Sequence, residues 1–530
     1  MRRWNGWGDS AQDYPLTDDA RRFLRERLGE PHPVRDARLE DALRTVPASR
    51  LEGSALFSAD AELRLRHARG QSFPDWLALR SGEPGPVPDA VALPANHEDV
   101  AAALTEARRR GAIVIPYGGG TSVVGHLAVP AGERPVLSLS LERMDQLIEL
   151  DETAWLARFG AGTPGPQVEA RLAGKGYLLG HFPQSYDYST VGGWVVTRSS
   201  GQQSLRYGRI EQLFHAGRLA TFKGEFRVGG VPASSAGPDL RESVLGSEGR
   251  LGLLTEATVR IRPLPERESF HAVFFPGWEH GLAAIRALGQ SDQALSMLRL
   301  SNELETETQL ALAGHPKLIA WLERYLRLRK VGSGKVMLLV GLTGTAAQVQ
   351  RGLREALALA RRHHGVHAGA KPGAGWVKNR FRSAYLRNSL WEAGYAVDTM
   401  ETCLNWPQVT AYMRAVEQAA RDAFQADDER VHAYTHLSHV YRQGCSVYST
   451  FVWRASGDAA RERMRWARFK RAVSETIVRS GATISHQHGV GADHAPYLPA
   501  EKGAAGMDLI RAMAREFDPD GLLNPGKLFA

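Results

Sequence analysis

Several features that would narrow the function of this chain are scarce or missing in its 530 residues. It has two cysteines, Cys403 and Cys445, and no CxxC pair, which excludes a disulfide-rich scaffold and a cysteine-based zinc or thiol redox site. The first residues hold two arginines but no apolar core after them, so they do not form a secretory signal. The longest apolar runs, such as residues 336–342, are far shorter than the roughly 20 residues that span a bilayer.

The chain also lacks a concentrated block of charge. Lys plus Arg number 66 against 58 Asp plus Glu, and the net charge of +8 is spread along the sequence. Nucleic-acid binding is therefore not predicted, because such proteins collect their basic residues on one face. A basic stretch at 458–479, which has a helical pattern, is a candidate face for contact with a membrane surface. We expect a cytoplasmic protein, with peripheral membrane contact left open.

The pattern of apolar and glycine-rich segments predicts an α+β protein of two to four domains, at about 150 residues each. Residues 1–90 are predicted to be mostly helical. Strands, a helix starting at Asn96 or His97 and glycine-rich turns follow over 91–265. Residues 266–480 combine short strands with long helices, and 481–530 form a C-terminal segment.

What the chain does have is glycine in three places beside predicted strands. The first is PYGGGTSV at 116–123, where backbone N–H groups can approach an anion with no Cβ in the way and hydroxyl groups stand next to them. It is neither a Walker A loop nor a GxGxxG turn. The others are the Ser-, Thr- and Gly-rich stretch 180–201 and GSEGRLGLL at 246–254. Three such loops suggest one extended ligand, such as a dinucleotide.

These motifs, with others along the chain, resemble the alkyldihydroxyacetonephosphate synthase family. That family belongs to the vanillyl-alcohol oxidase superfamily, which has a p-cresol-methylhydroxylase-type FAD-binding domain. The segments that carry the resemblance are RWNGWG at 3–8, RHARG at 66–70, 116–123, GHFPQSYDYSTVGGWV at 180–195, 246–263, SHVYRQG at 438–444 and SHQHGVG at 485–491. The resemblance implies that an FAD-binding domain of two α/β subdomains is followed by an α+β cap, with helical N- and C-terminal segments.

The resemblance further implies noncovalent FAD, although a covalent link through His181 stays open. The residues it assigns to FAD are Pro116, Tyr117, Gly118, Gly119, Gly120, Thr121, Ser122, Val123, Gln184, Ser185, Tyr186, Asp187, Tyr188, Ser189, Thr190, Gly193, Thr197, Arg198, Ser199, Ser200, Glu248, Gly249, Arg250, Leu251, Gly252, Leu253 and Leu254.

Two histidines stand two residues apart, His486 and His488. On a strand, positions i and i+2 share a face, so both rings are expected in one cavity. The pair can serve acid–base chemistry, bind an anion, hold a metal or be structural. The family has three consecutive histidines here, whereas this chain has Gln487 in the middle. The resemblance favours acid–base support and no metal.

Other candidate residues come from the resemblance. Tyr441 matches the family's catalytic tyrosine, and a phenol can transfer a proton. His181 matches a functional histidine, while His436 and His439 are predicted to be structural or on the surface. Arg387 and Arg299 match arginines that bind substrate, and a guanidinium can hold phosphate through two hydrogen bonds.

The predicted reaction exchanges the acyl group of acyl-dihydroxyacetone phosphate for a long-chain fatty alcohol, which forms an ether lipid. In the family this proceeds through an adduct at N5 of FAD. One alternative is an FAD-dependent oxidoreductase acting on a D-2-hydroxy acid, similar to D-lactate dehydrogenase, and another is a noncatalytic FAD- or lipid-binding protein. The family also implies a homodimer.

Overall fold

The strands form four sheets in the computed structural model, which describes residues 1–312 and 316–529. The strands are β1 Ala90–Ala92, β2 Ile113–Tyr117, β3 Val136–Ser140, β4 Leu147–Asp151, β5 Leu156–Gly160, β6 Tyr177–Leu178, β7 Phe214–Thr221, β8 Gly224–Gly229, β9 Leu253–Arg260, β10 Arg262–Pro263, β11 Arg267–Phe275, β12 Leu295–Ser301, β13 Val336–Gly344, β14 Val366–His367, β15 Tyr395–Asn405, β16 His432–Val440 and β17 Gly444–Arg454.

The helices lie between and around these strands. They are α1 Asp18–Leu28, α2 Leu39–Leu43, α3 Ala61–Arg66, α4 Phe73–Ser81, α5 His97–Arg109, α6 Gly165–Ala173, α7 Val191–Val196, α8 Ser204–Tyr207, α9 Ile210–Leu213, α10 Arg241–Val244, α11 Trp278–Gly289, α12 Glu303–Leu312, α13 Pro316–Leu328, α14 Ala346–Arg362, α15 Lys371–Asn379, α16 Leu386–Glu392, α17 Val409–Gln425, α18 Ala459–Arg479 and α19 Leu498–Phe517. None of the described helices has both the length and the apolar character that crossing a bilayer requires.

The sheets confirm the α+β class. A parallel sheet has the order β1-β3-β2, and an antiparallel one has the order β4-β5-β9-β7-β8. One apolar core joins these two sheets and includes Phe159, Trp194 and Phe214. The large antiparallel sheet has the order β14-β11-β13-β12-β16-β17-β15, and a separate apolar core covers it with α11, α14, α17 and α18.

Local sequence signals explain several element boundaries. Asn96 caps α5 through its side chain, which accepts the backbone N–H of Asp99, as its position before an amphipathic run predicts. The C-terminal segment returns to the first sheet, where Leu523 pairs in parallel with Val114 of β2. This return brings the loop before α19 next to the glycine-rich loops.

Two expectations about the helices need correction. Residues 1–90 are not mostly helical, because α1–α4 have only 11, 5, 6 and 9 residues and extended loops connect them. The stretch 458–479 does form a helix, α18, but its basic face is partly neutralised. Arg465 is buried, and Arg461 and Arg468 pair with Asp427. Contact of this helix with a membrane stays a prediction.

Candidate active site

A cavity of about 430 Å³ separates the glycine-rich loops from the large sheet. On one side it is lined by the loop after β2, by residues around α7 and by the loop before β9. On the other side it is lined by α16 and by side chains of β12, β15, β16 and β17. The cavity therefore brings together segments that are far apart in the sequence.

The loop at 118–123 forms the wall best suited to an anion. Gly119 lies so close to the neighbouring loop that a Cβ would stand 1.8 Å from the Tyr188 carbonyl oxygen, and Gly120 has a φ of +64°. Both positions therefore require glycine. Within the described residues, none of the backbone N–H groups of 118–123 donates a hydrogen bond to a backbone carbonyl or to a side chain. Amides left free beside a cavity are the donors that a pyrophosphate needs.

Most of the residues assigned to FAD line this cavity. They are Pro116, Tyr117, Gly118, Gly119, Gly120, Thr121, Ser122, Val123, Gln184, Ser185, Ser189, Thr190, Gly193, Thr197, Ser199, Ser200, Glu248, Gly249, Gly252, Leu253 and Leu254. The free amides, the hydroxyl groups and the apolar backbone of this set fit FAD chemically.

Six assigned residues lie elsewhere. Arg198, Arg250 and Leu251 line a second cavity. Tyr186, Asp187 and Tyr188 line neither of the two, because their turn faces other elements. Tyr186 stacks on Phe381, with ring centroids 4.6 Å apart, and Tyr188 packs edge-on against Trp7. Direct contact of these six residues with a ligand in the first cavity is not supported.

The second cavity has a volume of about 680 Å³. It adjoins the first, because Thr197 and Glu248 line both cavities. Its floor carries Tyr441, His486 and Arg209. Its remaining lining is mixed. Apolar side chains come mainly from α19 and the end of the chain and include Leu498, Ile510, Met513, Leu528 and Phe529, whereas charged side chains such as Arg198, Glu242 and Lys502 line other parts.

Tyr441, His486, Glu401 and Arg209 form an acid–base cluster at this floor. The Tyr441 hydroxyl lies 2.6 Å from Nε2 of His486. Nδ1 of the same ring lies 3.3 Å from a carboxylate oxygen of Glu401, so the neutral imidazole carries its proton on Nδ1 and accepts through Nε2. Nη1 of Arg209 donates to the Tyr441 oxygen at 3.3 Å and lies 2.5 Å from Nε2 of His486. The arrangement holds the phenol hydroxyl against a neutral imidazole and places a guanidinium where it stabilises a phenolate.

Glu401, on β15, also builds the loop that carries the histidines. One carboxylate oxygen accepts the backbone N–H groups of His486, Gln487 and His488 at 2.8, 2.5 and 3.2 Å. Burial disfavours its charge, but the hydrogen bonds and the neighbouring His486 and His488 hold the pKa of Glu401 below its usual value. A buried carboxylate thus stays ionised beside the imidazole.

Burial shifts the other two members of the cluster in opposite directions. It raises the pKa of Tyr441 to about 12, although Arg209 opposes that shift. It also lowers the pKa of His486, against the pull of Glu401. The resting cluster at neutral pH is therefore a neutral phenol, a neutral imidazole and a carboxylate.

The prediction that His486 and His488 share one cavity is wrong. Both lie in an irregular loop, not on a strand, and the loop wraps around Glu401. His488 lines the first cavity, where its ring packs edge-on against Tyr448, whereas His486 lines the second. Within the described residues no group of three or more His, Cys, Asp or Glu side chains is arranged to hold a metal ion.

Three further histidines are buried close to the two cavities. His181 is fully buried and lines neither cavity; its Nε2 lies 2.7 Å from the Ser199 hydroxyl, so it reaches the first cavity only through that residue. A direct catalytic contact by His181 is thus not supported. His436 and His439 are buried beside the site, not on the surface. His436 lines the first cavity, and the His439 ring lies 5.0 Å from that of His486.

The two predicted substrate arginines both line the first cavity but differ in charge balance. Arg387 donates from Nη1 to the Gln71 carbonyl oxygen at 2.5 Å, and its Nη2 is buried without a partner among the described residues. Arg299 donates to Glu305 at 2.6 Å, and this carboxylate also lies 3.1 Å from His436. The charge of Arg299 is therefore balanced, whereas that of Arg387 is available to an anion.

Sequence reasoning missed Glu401, Arg209 and Trp7. Glu401 and Arg209 stand in segments with no motif around them, and only the folded chain brings them to His486. Trp7 lies within RWNGWG, a motif to which the sequence alone assigns no role. Its place in the wall of the first cavity follows from contacts with residues about 380 positions away.

Two family models match this chain. A family model described as FAD linked oxidases, C-terminal domain, matches residues 264–528, and one described as FAD binding domain matches residues 88–229. The first alone spans half of the chain. The chain belongs to the FAD-linked oxidase family. Its N-terminal part has an FAD-binding domain, which agrees with the free amides at 118–123.

Individual relatives cover nearly all of the chain. It is 29% identical to an alkyldihydroxyacetonephosphate synthase of Trypanosoma brucei brucei, over 99% of this chain and 92% of the relative. It is also 29% identical to one of Caenorhabditis elegans, over 99% of this chain and 95% of the relative. A solved alkyldihydroxyacetonephosphate synthase structure superposes with a TM-score of 0.82 at 23% identity, covering 99% of this chain and 97% of that one. The last comparison confirms the predicted fold.

Proposed function

We propose that this chain is an FAD-dependent alkylglycerone-phosphate synthase. It exchanges the acyl group of acyl-dihydroxyacetone phosphate for a long-chain alcohol. The observation that carries the proposal is the pairing of two anion-binding centres in one cavity: the free amides of 118–123 and the unpaired guanidinium of Arg387. A cofactor pyrophosphate needs one such centre and a phosphorylated substrate needs the other. The full-length synthase relatives support the same reaction.

Binding and orientation are assigned to the first cavity. The amides and hydroxyl groups of 118–123, with Ser199 and Ser200, would hold FAD. When bound, FAD would supply the nucleophilic chemistry of its flavin ring. Arg387 binds the substrate phosphate from the opposite wall, because its Nη2 is buried without a partner and no carboxylate of the described residues forms a salt bridge with it. His488, on the same wall, is available to hydrogen-bond the substrate.

Proton transfer is assigned to the cluster on the floor of the second cavity. Tyr441 exchanges a proton with a C–H or O–H group of the substrate, while His486 holds the hydroxyl through Nε2 and Arg209 stabilises the phenolate form. Glu401 orients the imidazole that holds the phenol. The apolar side chains that α19 and the end of the chain contribute to this cavity suit an aliphatic chain next to these groups. Dimer formation and membrane contact remain predictions.

Two measurements on the purified FAD-bound protein test the proposal. With isotope-labelled hexadecanol and acyl-dihydroxyacetone phosphate, we expect the label in an ether-linked phosphate product and an equal amount of free fatty acid. Without oxygen, a D-2-hydroxy acid should leave the flavin absorbance unchanged. Bleaching by the hydroxy acid together with no label transfer would establish an oxidoreductase instead. No reaction of either kind, in a protein that binds FAD, would favour a noncatalytic role.

A further inference from the structure

The N-terminal strap, residues 2–9, ties the two sides of the first cavity together. At one end Arg2 donates to the Gly119 carbonyl oxygen of the glycine-rich loop at 2.5 Å. At the other end the Trp7 backbone N–H donates to the Asn388 side chain at 3.1 Å, and that side chain returns a hydrogen bond to the Trp7 carbonyl oxygen at 2.9 Å. The strap is therefore held by the cofactor-side loop and by α16.

Close packing explains the glycines of the strap. A Cβ on Gly8, whose φ is +84°, would stand 2.1 Å from the Tyr385 ring, and one on Gly6 would stand 2.9 Å from Asn388. Any larger residue would push the strap away from α16. The motif RWNGWG thus fixes Trp7 against Asn388, and Arg387 is the residue before Asn388 in α16.

Two hydrogen-bond donors in this corner have no partner in the described part of the chain. Nε1 of Trp7 and Nη2 of Arg387 are both buried and unpaired, and both residues line the first cavity. Gln71, also in the lining, connects the corner to its surroundings. Its carbonyl oxygen accepts the other guanidinium nitrogen at 2.5 Å, and its backbone N–H donates to Ser122 at 2.6 Å.

The corner is built for an anion. Burial lowers the pKa of Arg387 to about 10, and the carboxylates that oppose this shift, Asp398 and Asp75, form no salt bridge with it in the described part of the chain. A buried guanidinium without such a pair is costly unless a ligand supplies negative charge. The ring faces of Phe73 and Trp76 hold the guanidinium in place, at 5.8 and 4.4 Å from their centroids. A buried indole N–H likewise needs an acceptor. One phosphate group offers acceptors for both donors.

We propose that Trp7 and Arg387 together form the subsite for the phosphate group of the substrate, so that the N-terminal strap is part of the binding site. This assignment rests on the proposed function, which supplies a phosphorylated substrate. The pyrophosphate of FAD has the same chemistry and is the other source of a phosphate. We assign the subsite to the substrate because the glycine-rich loop already offers the cofactor its own free amides.

The test replaces Trp7 by phenylalanine, which keeps an aromatic ring and removes the N–H. Dihydroxyacetone phosphate is titrated into FAD-bound protein by calorimetry. We expect Trp7→Phe to bind it about tenfold more weakly, the effect of losing a hydrogen bond to a charged group. The matched control is Trp4→Phe, because Trp4 belongs to the same motif but packs against a separate small core that includes Leu65. Its affinity should equal that of the unmodified protein.

A second titration separates the two sources of phosphate. If Trp7→Phe weakens FAD binding to the apoprotein and leaves dihydroxyacetone phosphate unaffected, the assignment to the substrate is overturned. Unchanged affinity for both ligands overturns the subsite altogether. Should Trp7→Phe not fold, Trp7→His retains a ring N–H, and loss of binding in that folded variant would equally contradict the proposal. The titrations need no turnover, so they stand even if the exchange reaction fails its own test.

Discussion

The two cavities differ in the chemical groups that line them. The first has anion-binding groups on opposite sides, namely the free amides of 118–123 and Arg387. The second has an acid–base cluster and, from α19 and the end of the chain, a group of apolar side chains. Thr197 and Glu248 belong to both walls. Binding of charged groups and transfer of protons are thus built on largely separate residues, so mutations should affect them separately.

The largest expected effect comes from Gly119→Ala in the first cavity. The new Cβ would stand 1.8 Å from the Tyr188 carbonyl oxygen, and because both atoms belong to the backbone region neither can move aside cheaply. The loop must shift, and its amides lose their common direction. We expect a folded protein that purifies without FAD, measured as flavin absorbance per mole of protein.

Gly375→Ala is the matched control for that experiment. Gly375 lies in α15, and a Cβ there has open space within 4 Å. Replacement of a helical glycine by alanine is expected to be neutral or to stabilise by up to about 1 kcal/mol. A Gly119→Ala protein that retains full FAD would show that the loop does not hold the cofactor.

Tyr441→Phe is expected to have the next largest effect, and only on the second cavity. It removes the hydroxyl whose oxygen lies 2.6 Å from Nε2 of His486 and leaves the glycine-rich loop untouched. Turnover should fall by roughly 10²–10⁴-fold, the usual contribution of a general acid or base. FAD content and binding of dihydroxyacetone phosphate should not change. Tyr325→Phe, at an exposed position on α13, serves as control. Equal loss of FAD and turnover in Tyr441→Phe would contradict the separation.

Glu401→Gln should have a smaller effect that is visible in the pH profile. The neutral His486 is the active form, and burial lowers its pKa below 6.5, so activity should fall only as the pH drops below that value. Glu401 opposes this lowering of the pKa. Its removal should therefore move the acid limb to still lower pH, with about a tenfold loss of turnover on the plateau.

The direction of that shift separates an electrostatic role from a structural one. Glutamine cannot supply the negative charge but can still accept backbone N–H groups from the histidine loop. If the substitution only loosened the loop, turnover would fall at every pH and the acid limb of the pH profile would not move. A limb that moves to higher pH would contradict the assigned direction of the interaction.

Local signals predicted the elements better than they predicted the sites. The cap at Asn96 and the glycines at 118–120 are dictated by backbone chemistry within a few residues, so the sequence indicates them directly. The position of Tyr441 beside His486 depends on how β16, β17 and the loop before α19 pack together. Such packing leaves no local trace.

The error about His486 and His488 has the same origin. Alternation on a strand would have given the two rings one direction, but three backbone N–H groups converge on Glu401 and turn the chain between them. A buried carboxylate on β15, 85 to 87 residues away, thus decides the direction of both rings. The extended N-terminal region was misjudged because its stability comes from contacts such as Trp7 with Asn388, not from helix propensity.

The smallest expected effect concerns the connection between the cavities. Ser200 lines the first cavity, and its hydroxyl lies 3.0 Å from Nδ1 of His439, whose ring is 5.0 Å from His486. Ser204 also reaches the same nitrogen, at 3.1 Å, so Ser200→Ala leaves His439 with one partner. We expect turnover to fall only about fivefold, since a typical neutral hydrogen bond contributes ~1 kcal/mol. The double variant with Ser204→Ala should lose more than the sum of the two single effects, because it leaves a buried imidazole nitrogen unpaired. Simple additivity in stability and turnover would mean that His439 does not couple the two cavities.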